Sequence, residues 1–200
     1  KTIKALHDTG LQIAVHCGGD AAMDLTLDAF EAAMKENPRR DPRHRIEHGT
    51  LSSKEGPKRA ADLGVVISTQ PQFVRVMGNL SGKLGAERAK RVMVTRDWLN
   101  AGVKLALGSD MPTSPWYSPQ VTLAESVLRY DQYDKPLNPE QSLTIQEALR
   151  AHTMGSAYAA FEENVKGSLE PGKMADLSVW DANIYSIKPI EILQTKIEMT

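Results

Sequence analysis

The chain has 200 residues and a mass of 22.0 kDa, enough for one domain and too few for most complete eight-fold (β/α) barrels, which run to about 250 residues. Hydrophobic residues make up 41% and charged residues 24%, so a folded chain is expected rather than a disordered one. The 24 Lys and Arg against 25 Asp and Glu leave a net charge of −1, which excludes a nucleic-acid binder working through bulk positive charge; no stretch approaches the roughly 18 apolar residues of a membrane span, and the single cysteine, Cys17, excludes an intrachain disulfide or a Cys-rich zinc knuckle.

The first segment, KTIKALHDTG, reads as the last turns of a helix stopped by Gly10. The apolar run Leu11 to His16 reads as a buried strand. A glycine turn, CGGD, follows, with Asp20 placed to cap the next helix; Met23, Leu27, Phe30 and Met34 form that helix's apolar stripe. The cycle then repeats. Arg43 to His48 is a second strand between Pro42 and Gly49, with a helix near 53–63. Val65 to Gln70 is a third strand, followed by a loop over 70–82 and a helix around 86–100. Val103 to Asp110 is a fourth, followed by a Pro-rich loop and a helix near 120–130. Four β-then-α units predict parallel strands with helices packed outside. The pattern then changes: 143–161 is helical, and GSLEPGKMADLSVWD pairs a Pro-Gly turn with the alternating strand ADLSVW, a small β appendage.

Each predicted strand ends on a polar or ionisable residue: His16, His48, Gln70 and Asp110. In a parallel barrel the C-terminal strand ends converge on one rim and carry catalytic groups. Two histidines and an aspartate there form a plausible metal shell. His44 and His48 have the i, i+4 spacing of helical metal ligands, but on a strand they stand about 13 Å apart, so only His48 is a ligand candidate and His44 lies near the floor. The bland readings stand beside these. A lone histidine is more often a hydrogen-bonded structural residue, as His7 and His152 are read here, and a lone aspartate more often a cap or turn former. Glu47 points away from His48 and is expected to pair with an Arg or Lys of a helix face. Cys17 adjoins the site without signs of a nucleophile. Met93 and Met111 read as packing residues, and Arg88, Lys90, Arg91 and Arg96 as a solvated helix face.

In this order, HCGGDAAMDLTLDAFEAA, RHRIEHGTL, LGVVISTQPQF and AGVKLALGSDMPTSP resemble the metal-dependent amidohydrolase superfamily, in the family 3 branch of N-substituted formamide deformylase-like enzymes, related to D-aminoacylases. The tail AYAAFEENVKGSLEPGKMADLSVWD resembles the return from that superfamily's barrel to its small β-sandwich. The resemblance implies an α/β fold: the C-terminal half of a TIM-type barrel over residues 1–161 and part of a β-sandwich over 162–200. It implies that His16 and His48 match the metal-binding histidines after the fifth and sixth barrel strands. Asp110 matches the catalytic aspartate after the eighth, which binds metal or moves the proton of the hydrolytic water. Gln70, Phe73, Trp116 and Tyr117 are expected to wall a substrate pocket. The implied cofactor is Zn²⁺ or another divalent metal, one ion or two. The implied reaction is hydrolysis of a carbon–nitrogen bond in a non-peptide amide, formamide or cyclic amide.

One departure stands out. The family's first strand carries an HxH pair and its fourth a bridging or terminal ligand, and no HxH occurs in this chain. The chain opens on Lys1 within a helical pattern and stops without a polar tail, so it reads as a piece of a longer protein. The parent is expected to be a cytoplasmic hydrolase; the alternatives are a non-catalytic half-barrel or regulatory relative, and, with less in its favour, a binding or transport module. The strands at 11–16 and 103–110 are expected to be open sheet edges that associate with another copy or with a missing half, a dimer being favoured.

Overall fold

The computed structural model describes residues 1–78 and 81–200. Helix α1 (Thr2–Asp8) stops where Gly10 takes φ 86°, a left-handed turn that glycine adopts without penalty. Strand β1 (Ala14–Cys17) follows, then α2 (Asp20–Glu36). The buried positions of α2 are Met23, Thr26, Leu27, Phe30 and Ala33. The predicted stripe therefore faces inward, except that Ala33 takes the inner place and Met34 is only partly covered. Next come β2 (Arg45–His48), α3 (Gly56–Asp62) and β3 (Val66–Thr69).

The expected loop at 70–82 holds a 3-10 turn (Pro71–Phe73) and α4 (Val74–Met77); its residues 79–80 lie outside the described residues. After α5 (Ser81–Leu84), the single helix expected at 86–100 is instead two, α6 (Ala86–Ala89) and α7 (Thr95–Ala101). The break has a tertiary cause. Leu51 and Val92 form an isolated antiparallel bridge, Met93 N–H donates to the Thr50 carbonyl at 2.8 Å, and Met93 takes φ 48°. A long-range pairing here overrides helical continuity.

Strand β4 (Leu105–Leu107) is shorter than the expected 103–110, and α8 (Pro119–Leu128) begins behind the Ser118 cap, whose hydroxyl accepts from Val121 N–H. All four strands are parallel and lie in chain order, β1-β2-β3-β4. The order follows from the βα pattern: each helix returns the chain to the start of the neighbouring strand. One face of this sheet carries the main core, where Ile13, Ile46, Ile67, Leu105 and Leu107 meet Met23, Leu27, Phe30 and Trp98.

The C-terminal part opens with α9 (Ile145–Arg150), started by a capping box: Thr144 accepts from Glu147 N–H, and Glu147 reaches back to Thr144 N–H. A π-helical turn (Ala151–Gly155) joins it to α10 (Ser156–Ala159), so the helix expected over 143–161 is interrupted. The strand expected at 175–180 is reduced to β5 (Val179–Trp180), which pairs antiparallel with β6 (Ile197–Met199).

The π-helical turn has a use. Leu105 and Leu107 present their carbonyls on the side of β4 away from β3. Ser156 Oγ donates to the Leu107 carbonyl at 3.1 Å, and Gly155 lies so close to the Leu105 carbonyl that an added Cβ would stand 2.0 Å from that oxygen. The β4 edge, expected to be open, is thus covered by this turn. Among the described residues, β1 pairs only with β2.

Candidate functional site

The site forms where the first three strands end. In strand register His16 lies beside Glu47 and Cys17 beside His48, so the pleat alone would put the two histidines on opposite faces. His48 has φ 70° and Gly49 φ 56°, two successive left-handed residues that turn the chain out of the pleat. The imidazoles then meet with ring centroids 4.4 Å apart and planes at 72°. A left-handed histidine costs about 1–2 kcal/mol, the kind of local strain that concentrates at functional sites. Gly49 is also tightly packed: a Cβ there would lie 3.0 Å from the buried Trp98 ring.

Gln70 and Phe73 complete the constellation. Gln70 Oε1 lies 2.7 Å from His48 Nδ1. An amide oxygen only accepts, so Nδ1 is the donor, and in the neutral ring Nε2 then keeps its lone pair, the state a metal ligand needs. Phe73 stacks against the same imidazole, centroids 6.0 Å apart and planes at 26°.

Asp110, Trp116 and Tyr117 make no hydrogen bond or ring contact to this pair among the described residues. Asp110 is exposed, three residues beyond the end of β4, with φ 51° and its carboxylate accepting from Thr113 Oγ1 at 3.1 Å. Trp116 and Tyr117 follow on the same loop, Trp116 partly covered and Tyr117 exposed. The Arg75 guanidinium lies 6.0 Å from the Trp116 ring centroid and is held 2.6 Å from Glu125, a fully buried carboxylate. Burial raises the Glu125 pKa, against the pull of Tyr130 N–H and Arg75. Among the described residues no group of three or more His, Cys, Asp or Glu converges to hold a metal. The donor set is two imidazoles, half of a four-coordinate shell.

Several neighbours differ from expectation. Glu47 pairs with Arg45 at 2.7 Å, a residue of its own strand rather than of a helix. Asp20 is the first residue of α2, not its cap, and is gripped by Arg88 at 2.6 and 2.8 Å. The basic residues in and between α6 and α7 are likewise engaged. Arg96 forms a fork with Glu147, Arg91 reaches Asp97 and the Ser52 and Ser53 carbonyls, and Lys90 pairs with Glu87. Cys17 is fully buried beside Thr26; burial raises its pKa and keeps it a packing thiol. Arg129, which the sequence did not mark, is buried at the end of α8 and donates to the carbonyls of Val92, Met93 and Leu137; burial lowers its pKa to about 10.

The chain was compared with known proteins. It is 36% identical over 184 residues to Protein LONG AFTER FAR-RED 3 of Arabidopsis thaliana, covering 90% of this chain and 31% of that protein. It is 30% identical over 196 residues to N-substituted formamide deformylase of Arthrobacter pascens, covering 94% of this chain and 36% of the relative. Among solved structures, an uncharacterized metal-dependent hydrolase from Pyrococcus horikoshii superposes with a TM-score of 0.79 at 30% identity, over 92% of this chain and 36% of the other. The chain thus spans about a third of the length of each. Residues 1–200 match the family described as "Amidohydrolase family" throughout, and the chain belongs to that family.

Proposed function

We propose that this chain is the C-terminal half of a (β/α)8 barrel in a metal-dependent amidohydrolase, with residues 1–161 in the barrel and 162–200 returning to a small β-sandwich. The reaction is hydrolysis of a carbon–nitrogen bond in a non-peptide amide, formamide or cyclic amide. The name of the Arthrobacter pascens relative supports the formamide class. The observation that carries the reading is the His16–His48 pair at 4.4 Å on adjacent strand ends, with His48 oriented by Gln70. These two imidazoles fit Zn²⁺ or a similar divalent ion as a half shell; the remaining ligands would come from the part of the longer protein that this chain lacks. When bound, such an ion activates water near neutral pH and polarises the scissile carbonyl. His16 and His48 would hold the ion through their unprotonated nitrogens, Asp110 would take the water's proton and pass it to the leaving amine, and Gln70, Phe73, Trp116 and Tyr117 would wall the substrate.

A second reading is a non-catalytic relative. Its support is Asp110, which stands outside the histidine pair with its carboxylate on Thr113. Zinc content and hydrolysis of an N-substituted formamide by the longer protein decide between them. The amidohydrolase reading expects His16→Ala and His48→Ala each to lose zinc and turnover together. Wild-type protein with zinc and no turnover favours the second reading; unchanged zinc in both variants removes the histidine pair from either.

A further inference from the structure

Gln72 has no part in the site as described so far. It is the middle residue of the turn Pro71–Phe73 and is fully buried. The residues around it serve the histidine pair: Gln70 accepts from His48 and Phe73 stacks on the same ring. Gln72 reaches the other way, and its side-chain amide donates to the Ser109 carbonyl. Ser109 immediately precedes Asp110, whose own contacts, to Thr113, stay within the same loop. The Gln72 bond therefore ties the turn carrying the histidine partners to the loop carrying the carboxylate.

The rest of the side chain argues against a packing role. Gln72 Oε1 is buried without a partner. A desolvated acceptor lowers stability, and a Met or Leu of similar volume would fill the space without it. What glutamine supplies here and an apolar residue cannot is the N–H on Ser109.

We infer that Gln72 is a positioning residue: it holds the Ser109–Asp110 segment against the turn that orients His48, and so sets the carboxylate relative to the imidazole pair. The catalytic part of this inference rests on the role proposed above for Asp110; the anchoring part does not.

Two measurements test it. Hydrogen exchange on the 200-residue chain reads the anchor directly. Gln72→Met should speed exchange of the amides of 109–111 and 113 about tenfold while Val66 and Ile67, bonded within the sheet, keep their protection. Gln72→Leu, which likewise lacks the donor, should do the same and serves if the Met variant does not fold. Unchanged exchange at 109–113 in a folded variant overturns the inference. In the longer protein, Gln72→Met should lower kcat about tenfold with KM and zinc content unchanged, and should have no further effect in an Asp110→Asn background. A full tenfold loss persisting in that background overturns the inference. If the wild-type protein hydrolyses no amide, the proposed function falls, and exchange still decides whether Gln72 anchors Ser109.

Discussion

Acid should weaken this fold through His44. The ring is buried at the start of β2, and its bonds fix a chain of tautomers. Ile13 N–H donates to His44 Nδ1 at 3.1 Å, so Nδ1 is bare and Nε2 carries the proton. That proton goes to His7 Nδ1 at 2.8 Å, and His7 Nε2–H goes to the Asn37 carbonyl at 2.8 Å. Phe30 stacks on the same ring at 4.8 Å. A proton added to His44 would point an N–H at an N–H. Burial first, then the His7 ring and the Arg39 guanidinium, lower the His44 pKa from 6.5 to about 4. The unfolded chain binds this proton more readily than the folded one, so the stabilisation is complete above about pH 6.5 and is lost as pH falls toward 4. The full difference is about 3 kcal/mol, of which about 2 is already gone at pH 5. Urea denaturation at a series of pH values between about 7.5 and 4.5 measures it, with His44→Gln as the non-titrating control. His152, also lowered to about 4 by burial, titrates in both proteins and drops out of the comparison. If His44→Gln loses as much stability between these pH values as the wild type does, the reasoning is refuted.

Two further outcomes follow from packing and capping. Gly155→Ala would drive a Cβ to 2.0 Å from the Leu105 carbonyl, so the helix must move off the β4 edge; the loss should be about 3 kcal/mol or more, seen as a lower urea midpoint. Thr144→Ala removes one half of the capping box on α9 and should lower stability by about 1 kcal/mol, while Thr144→Ser recovers most of it.

The parallel sheet was legible because its strands are apolar runs between glycines and prolines, a signal set by the chain itself. Where long-range partners decide, that signal fails. Residues 86–100 look like one helix until the Thr50–Leu51 segment pairs with Val92 and Met93. Arg88, Arg91 and Arg96 look like a solvated face because their partners, Asp20, the Ser52–Ser53 carbonyls and Glu147, are remote or in other elements. At the site, His16 and His48 could be named from strand ends, but their meeting depends on the left-handed backbone at His48, for which Gly49 was the only hint. Asp110 was read as a strand end; the strand stops at Leu107, and the aspartate sits in a left-handed turn of the loop. Gln72 and Arg129 carry no local pattern: each is a buried polar side chain whose meaning comes from a carbonyl 8 to 37 residues away.

The two borders of the four-stranded sheet are not equivalent. On the β4 side the outward carbonyl of Leu107 accepts from Ser156 and that of Leu105 is crowded by Gly155; on the β1 side, among the described residues, the backbone of Ala14 and His16 has no strand beside it. The bare border at β1 is where the missing half of the proposed barrel would add its strands. The π-helical turn at 151–155 fills the other border, so closing the proposed barrel on β4 would require that turn to give way to the joining strand.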